Sequence, residues 1–167
     1  MRIGKLKNKG FSLVELLLVA AILAALVGIS IPNFKKTYER LKLRNTADNI
    51  SRFINFAQQR AILEENIFKV MFDYDAKSYW LMEASQPGQK DVLGGGTVEF
   101  TRAGGRLGKK MRIPQDLSMD GDKEEVIFYP DGNSGRARVE LSNQKGAAII
   151  ITSTGIMGNV DIEEKKN

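Results

Sequence analysis

Cysteine is absent from this 167-residue chain, and so is histidine. The first absence excludes disulfides, thiol nucleophiles and thiolate metal sites. The second removes the usual general base, every Ser-His-Asp or Cys-His arrangement, and the commonest metal ligand. Carboxylate pairs or a Ser–Lys pair remain as chemistry, yet no nucleophile–base pair or metal constellation stands out. No enzyme activity, cofactor or metal is expected. Proline is scarce, and thirteen of the 16 glycines lie beyond residue 87. No glycine falls between Gly28 and Gly88, and no proline between Pro32 and Pro87. A length of this order allows one modest core plus an appended segment.

The formal charge is +5, which points to an anionic partner. Its distribution weakens that reading. Residues 1–10 hold Arg2, Lys5, Lys7 and Lys9 and no acid. Without those four, 21 basic residues face 20 acidic ones, a net of +1. The basicity belongs mainly to the first ten residues.

Residues 11–31 read FSLVELLLVAAILAALVGISI, a run with one charge, Glu15. Such a run is long enough to span a bilayer core as a helix. The basic residues before it would hold the N-terminus on the cytoplasmic side. A plain signal anchor is one reading. A cleaved secretory signal is another, with Gly28-Ile29-Ser30 as its small-x-small site. Neither accounts for Glu15, because an acid in an apolar span costs several kcal/mol unless it is paired.

Lys9-Gly10-Phe11-Ser12-Leu13-Val14-Glu15 resembles the type III signal sequence of type IV prepilins and type II secretion pseudopilins. The resemblance implies that a membrane-embedded prepilin peptidase cuts between Gly10 and Phe11 and N-methylates Phe11. It also implies that Glu15 neutralises the N-terminal amine of a neighbouring subunit during assembly. The spacing is physically sensible, since pairing two charges that are costly in hydrocarbon rewards one axial register. Pro32, at the end of the apolar run, fits the same pattern.

Beyond the run, Phe34, Tyr38, Leu41, Ile50, Phe53, Ile54, Ala57 and Ala61 recur mostly three or four residues apart. That is an amphipathic helix, with a polar face from Lys35 to Arg52. The aromatics Phe53 and Phe56 read as core. The helix is expected from about Phe11 to Glu64. Pro32 has no N–H for the carbonyl of Gly28, so a kink or local loss of helix is expected at residues 28–32 in an assembled form.

After residue 66 the period changes to that of strands. Ile67–Tyr74 and Ser78–Ala84 form an expected hairpin about Asp75-Ala76-Lys77. Further strands are expected at Thr97–Arg102, Val126–Tyr129, Arg136–Ser142, Ala147–Ser153 and Ile156–Ile162, separated by strong turn chemistry. The whole reads as α+β: a long N-terminal helix, membrane-spanning in its first half, on an antiparallel sheet or two-sheet β domain. The divisions are a cleaved leader over 1–10, an assembly helix over 11–31, its amphipathic continuation over 32–64 and a periplasmic β domain over 65–167.

Ala57-Gln58-Gln59-Arg60-Ala61-Ile62, Phe128-Tyr129-Pro130-Asp131-Gly132-Asn133 and the late Thr154-Gly155 resemble the H-type minor pseudopilins and related fimbrial minor pilins. Many major pilins close a C-terminal loop with a disulfide, which this chain cannot form. The resemblance implies a minor pseudopilin of type II secretion, a structural subunit in protein transport. It would sit single-pass in the bacterial inner membrane, N-terminus cytoplasmic and β domain periplasmic, and be extracted into a periplasm-spanning pseudopilus. Its implied partners are the prepilin peptidase, other pilin or pseudopilin subunits and the inner membrane. The alternative is a minor pilin of a type IV pilus, serving biogenesis, adhesion or DNA uptake.

Two loops carry charge. Asp120-Gly121-Asp122-Lys123-Glu124 imitates the start of a calcium loop, but Glu125 stands where an EF-hand needs glycine. A solvated acidic turn is the better reading. Arg102, Arg106, Lys109, Lys110 and Arg112 are five bases in eleven residues, with no acid among them. They read as a mobile loop that is solvated or docks on an acidic neighbour. Nucleic acid is the less favoured partner, because no aromatic residue is interleaved with them. Gly94-Gly95-Gly96 lacks the ending of a phosphate-binding loop and reads as flexible.

Overall fold

The computed structural model describes residues 11–85, 98–155 and 160–165, with the side chains of 27–36 excepted. The chain divides into two compact units, Met1–Glu39 and Arg40–Asn167, and one helix, α1 (Leu13–Leu63), enters both.

In the first unit, every described side chain from Phe11 to Leu26 is exposed. The expected transmembrane helix is overturned here. Among the described residues no helix is long and apolar enough to cross a membrane. The membrane-spanning first half of the fold, the single-pass inner-membrane placement and the membrane as partner are corrected with it.

In the second unit the helix is amphipathic in the strict sense. Leu43, Ala47, Ile50, Ile54, Ala57 and Ala61 are buried at alternating spacings of four and three. Tyr38 and Leu41, expected on this stripe, are more than half exposed, and Phe56 is 42 % exposed against 6 % for Phe53. The buried face starts at Leu43 and is largely built of small residues, which lets the sheets approach closely. The helix ends at Glu65, which takes a positive φ of 49° while Asn66 N–H donates back to the Ala61 carbonyl. That 6→1 bond closes a Schellman-type cap.

Two antiparallel sheets cover the stripe. The first contains β1 (Phe68–Asp73), β2 (Ser78–Ala84), β3 (Phe100–Arg102), β4 (Met111–Arg112) and β6 (Glu125–Phe128), ordered β3-β2-β1-β6 with β4 also on β2. The second is β5 (Leu117–Gly121), β7 (Ala137–Asn143), β8 (Ala148–Ser153) and β9 (Val160–Lys165), ordered β5-β7-β8-β9. Alternation explains which faces are buried. Phe68, Val70 and Phe72 of β1 face the helix, as do Val139 and Leu141 of β7 and Ile149 and Ile151 of β8. Each such side chain contributes about 1.5–3 kcal/mol by leaving water.

The strands depart from expectation in three places. Leu117–Gly121 is a strand with Leu117 and Met119 buried, where an acidic turn was expected from Asp120 onward. The two-residue β4 was not anticipated at all. The last strand was expected to stop at Ile162, yet it pairs with β8 as far as Lys165. Residues 94–96 and 156–159 lie outside the described residues.

Specific polar contacts lock the sheets to the helix. Gln58, 5 % exposed, donates from Nε2 to the Gly132 carbonyl at 2.8 Å. Two of the three resemblance motifs, on the helix and in the 128–133 turn, therefore meet in space. Lys42 pairs with Asp116, and Asn66 Nδ2 reaches the Ala84 carbonyl.

Candidate functional site

The N-terminal junction is built from a helix start. Ser12 precedes α1, and its carbonyl accepts the Leu16 N–H at 3.1 Å. Glu15 therefore lies in the first helical turn, where the positive end of the helix dipole favours a carboxylate. Phe11 is 78 % exposed just outside the helix. Gly10 lies outside the described residues. The expected kink at Gly28 and Pro32 falls where side chains are not described. The backbone there continues as helix in this isolated chain, whereas the expectation concerned an assembled one. The result is a helical segment apolar on every side, with one acid near its start.

The basic cluster differs from its expected form. It is a folded excursion between β3 and β4, which both pair with β2. The Leu81 N–H donates to the Leu107 carbonyl at 2.9 Å, and the Ala103 N–H donates to the Leu81 carbonyl at 3.1 Å. Gly108 closes the excursion. A Cβ there would stand 1.9 Å from the Ala103 carbonyl oxygen, a backbone atom that cannot swing away. Gly108→Ala is expected to cost about 1–3 kcal/mol. At this chain length each kcal/mol lowers Tm by about 2–4 °C. Thermal unfolding followed by circular dichroism checks it, and an unchanged Tm would show that the excursion opens freely.

The excursion also has the aromatic residue that its own sequence lacks. Trp80 of β2 lies beneath it, with Lys110 Nζ 4.5 Å and the Arg102 guanidinium 5.9 Å from the ring. Lys110 also pairs with Asp73 at 2.9 Å. Trp80 and Asp73 went unnoticed in the sequence because strand register alone brings them to the loop. The one tryptophan of the chain was the only available signal.

Two carboxylates report this geometry. Asp73 is held below the ordinary range by the Ala76 amide first and Lys110 second; Asp116 by Lys42. A carboxylate with a lowered folded value stabilises above its unfolded value, and that contribution is lost as pH falls through the folded value. Asp73→Asn/Asp116→Asn is therefore expected to lower Tm at neutral pH and to flatten the acid slope. The two Tm curves should converge once pH drops below the carboxylate range. Parallel curves throughout would refute the linkage.

The acidic segment begins inside β5 and its carboxylates are used locally. Asp120 accepts the Gly121 N–H and Asp122 accepts the Arg138 N–H, so both carboxylates serve the backbone. Among the described residues no group of three or more such ligands is placed to hold a metal. Tyr74 packs beside them, donating to the Lys123 carbonyl. Its phenol is pushed up to about 12, by burial first and then by Asp122, Asp120 and Glu124.

Residues 5–31 match the prokaryotic N-terminal methylation motif. Among solved structures, the minor pseudopilin EpsH from the type 2 secretion system of Vibrio cholerae superposes with a TM-score of 0.56 at 12 % identity. The superposition covers 74 % of this chain and 97 % of that one. The Pseudomonas aeruginosa type IV minor pilin FimU superposes at 0.50 with 13 % identity, covering 77 % and 91 %. The fold is that of these minor pilins and pseudopilins. At such identities the likeness covers architecture, a helix carrying a β domain, and leaves H-type membership to the short motifs. No curated protein matches the sequence.

Proposed function

We propose that the chain is a minor pseudopilin-type structural subunit, processed by a prepilin peptidase and built into a type II secretion pseudopilus through its N-terminal helix. One observation carries the reading. The methylation motif over residues 5–31 overlaps the start of a helix whose described side chains from Leu13 to Leu26 are all exposed. A helix apolar on every side gains stability only when other apolar surface encloses it. Neighbouring subunits with the same kind of helix supply that surface, and the β domains are left outside.

In this reading Gly10–Phe11 is the cleaved bond and Phe11 the methylated residue. Glu15 pairs with the amine of an adjacent subunit inside an apolar bundle. Only one axial offset allows the pair, so a single acid sets the register of an otherwise featureless contact. The chain needs no catalytic group for this.

Co-expression with a prepilin peptidase, followed by N-terminal sequencing and mass spectrometry, tests the proposal. The expected product begins at Phe11 and carries one added methyl group; Gly10→Val blocks both changes. A mature chain starting at Ile31, or an uncut chain beside an active peptidase, would overturn it. A type IV pilus minor pilin is the second reading, supported by the likeness to FimU. Cross-linking of the chain into retractable pili instead of secretion pseudopili would favour it.

A further inference from the structure

The second sheet ends in an open strand that assembly through the helix does not use. β9 is last in the order β5-β7-β8-β9, bonded to β8 on one side and, among the described residues, to nothing on the other. It is the longest edge strand described, with six residues against five in β5, four in β6 and three in β3. The edge at β6 is also partly covered, because the Gly135 N–H donates to the Ile127 carbonyl at 2.8 Å. Six residues of open edge present about 20 Å of unpaired amides and carbonyls, a template for one more strand.

Cross-strand partners share a face, so the register shows where each β9 side chain points. Val160, Ile162 and Glu164 stand opposite Ser153, Ile151 and Ile149, which are buried toward the helix. Asp161 and Glu163 stand opposite Thr152 and Ile150 on the outward face. Glu164 is occupied by Arg40 and Arg44 of the helix at 3.6 and 3.7 Å, and Lys165 donates to Glu140. Asp161 and Glu163 are exposed and, among the described residues, without a cationic partner. Ile162 is 40 % exposed between them, on the inner face. Charge on an edge strand often serves only to repel other strands. Here the two unpaired charges have one sign. They turn away a second β9, whose acids would stand opposite them, and they attract a basic strand. An apolar Ile162 left half open does nothing for repulsion. We infer that β9 docks an extended segment of a partner protein in which basic and apolar side chains alternate. The backbone of that segment continues the ladder, its basic side chains reach Asp161 and Glu163, and an apolar one covers Ile162.

A fluorescent peptide of alternating lysine and valine, blocked at both ends, tests this. It is titrated into the full chain, kept dispersed in nonionic detergent, and followed by anisotropy. Saturable binding is expected, and hydrogen exchange should slow at the β9 amides and not in the first sheet. Two altered peptides should bind at least about 10-fold more weakly. One has the same lysines and valines in separate blocks and loses the two-faced pattern. The other is N-methylated at consecutive central amides and loses the ladder bonds. Asp161→Lys/Glu163→Lys should weaken the lysine peptide by about 10-fold or more, and should admit a glutamate–valine peptide that the native edge rejects. Asp75→Lys, in the exposed turn between β1 and β2, should change neither affinity. Far-UV circular dichroism confirms that each variant folds. Absence of binding, equal affinity for the block or N-methylated peptide, or protection outside β9 would overturn the proposal. So would β9 protection that rises with protein concentration alone, which would give the edge to a second copy. Its failure leaves the assembly reading untouched, since that reading is decided by the mature N-terminus.

Discussion

Glu15→Val should abolish incorporation into filaments while leaving cleavage after Gly10 intact. In the proposed assembly, the substitution would leave the neighbour's N-terminal amine buried in apolar packing with no counter-charge. Breaking one side of a buried ion pair costs about 3–5 kcal/mol. One decade in an equilibrium corresponds to about 1.4 kcal/mol, so each subunit addition is disfavoured by roughly two to four orders of magnitude. The same residue lies at the helix start, where a carboxylate contributes at most about 1 kcal/mol when exposed. Two controls separate these effects. Glu15→Asp keeps the charge at the helix start but shortens its reach, and should retain helicity with reduced assembly. Glu15→Gln keeps the shape without the charge and should behave nearly as the valine variant. Filament yield by shearing and electron microscopy, beside the mature N-terminal sequence, reads both outcomes. Normal filaments from the valine variant would remove Glu15 from the assembly mechanism.

Phe68→Ala should remove a large share of the β domain's margin of stability. Phe68 is fully buried at the start of β1, paired with Glu83 of β2 and Phe128 of β6. The Arg60 guanidinium lies 5.4 Å from its ring, so the residue joins the helix end to the centre of the first sheet. Truncating a buried phenylalanine costs about 3–5 kcal/mol. Domains of this kind hold about 5–15 kcal/mol in total. Phe56→Ala on the exposed face of the same helix should stay within about 0.5 kcal/mol. Equilibrium urea unfolding of the two variants gives the comparison. Equal midpoints would mean that the helix is not docked through Phe68.

The strands were legible where alternation was uninterrupted. Ser78–Ala84 is found with the bounds its pattern suggests, and Ala137, Val139 and Leu141 are buried between exposed or half-buried neighbours. Leu117–Gly121 alternates just as cleanly. Its Asp120-Gly121-Asp122 end, however, carries turn chemistry, and the turn reading prevailed. The helix misled for a different reason. Between Tyr38 and Leu63 it carries two apolar stripes, and spacing alone does not say which one is covered. Ile50, Phe53, Ile54, Ala57 and Ala61 are buried as their spacing suggested, whereas Tyr38, Leu41 and Phe56, also expected on the core side, are exposed. Hydropathy over residues 11–31 misled in turn about a membrane span. The Trp80 platform lay beyond any local pattern, since it depends on Met82 meeting Arg102 and Tyr79 meeting Met111 across strands.

The joint between α1 and β1 is short, and that has a mechanical consequence. Only Glu64 to Ile67 separate helix from strand, and Asn66 braces the corner through the Ala84 carbonyl and the Ile67 amide. A pull along the helix therefore enters β1 almost without slack. β1 is bonded to β2 on one side and β6 on the other, so the load is shared as shear along both ladders, where many bonds must break together. A subunit dragged by its helix would thus carry its β domain as rigid freight, and under tension should lose its outer edge strands before the joint yields.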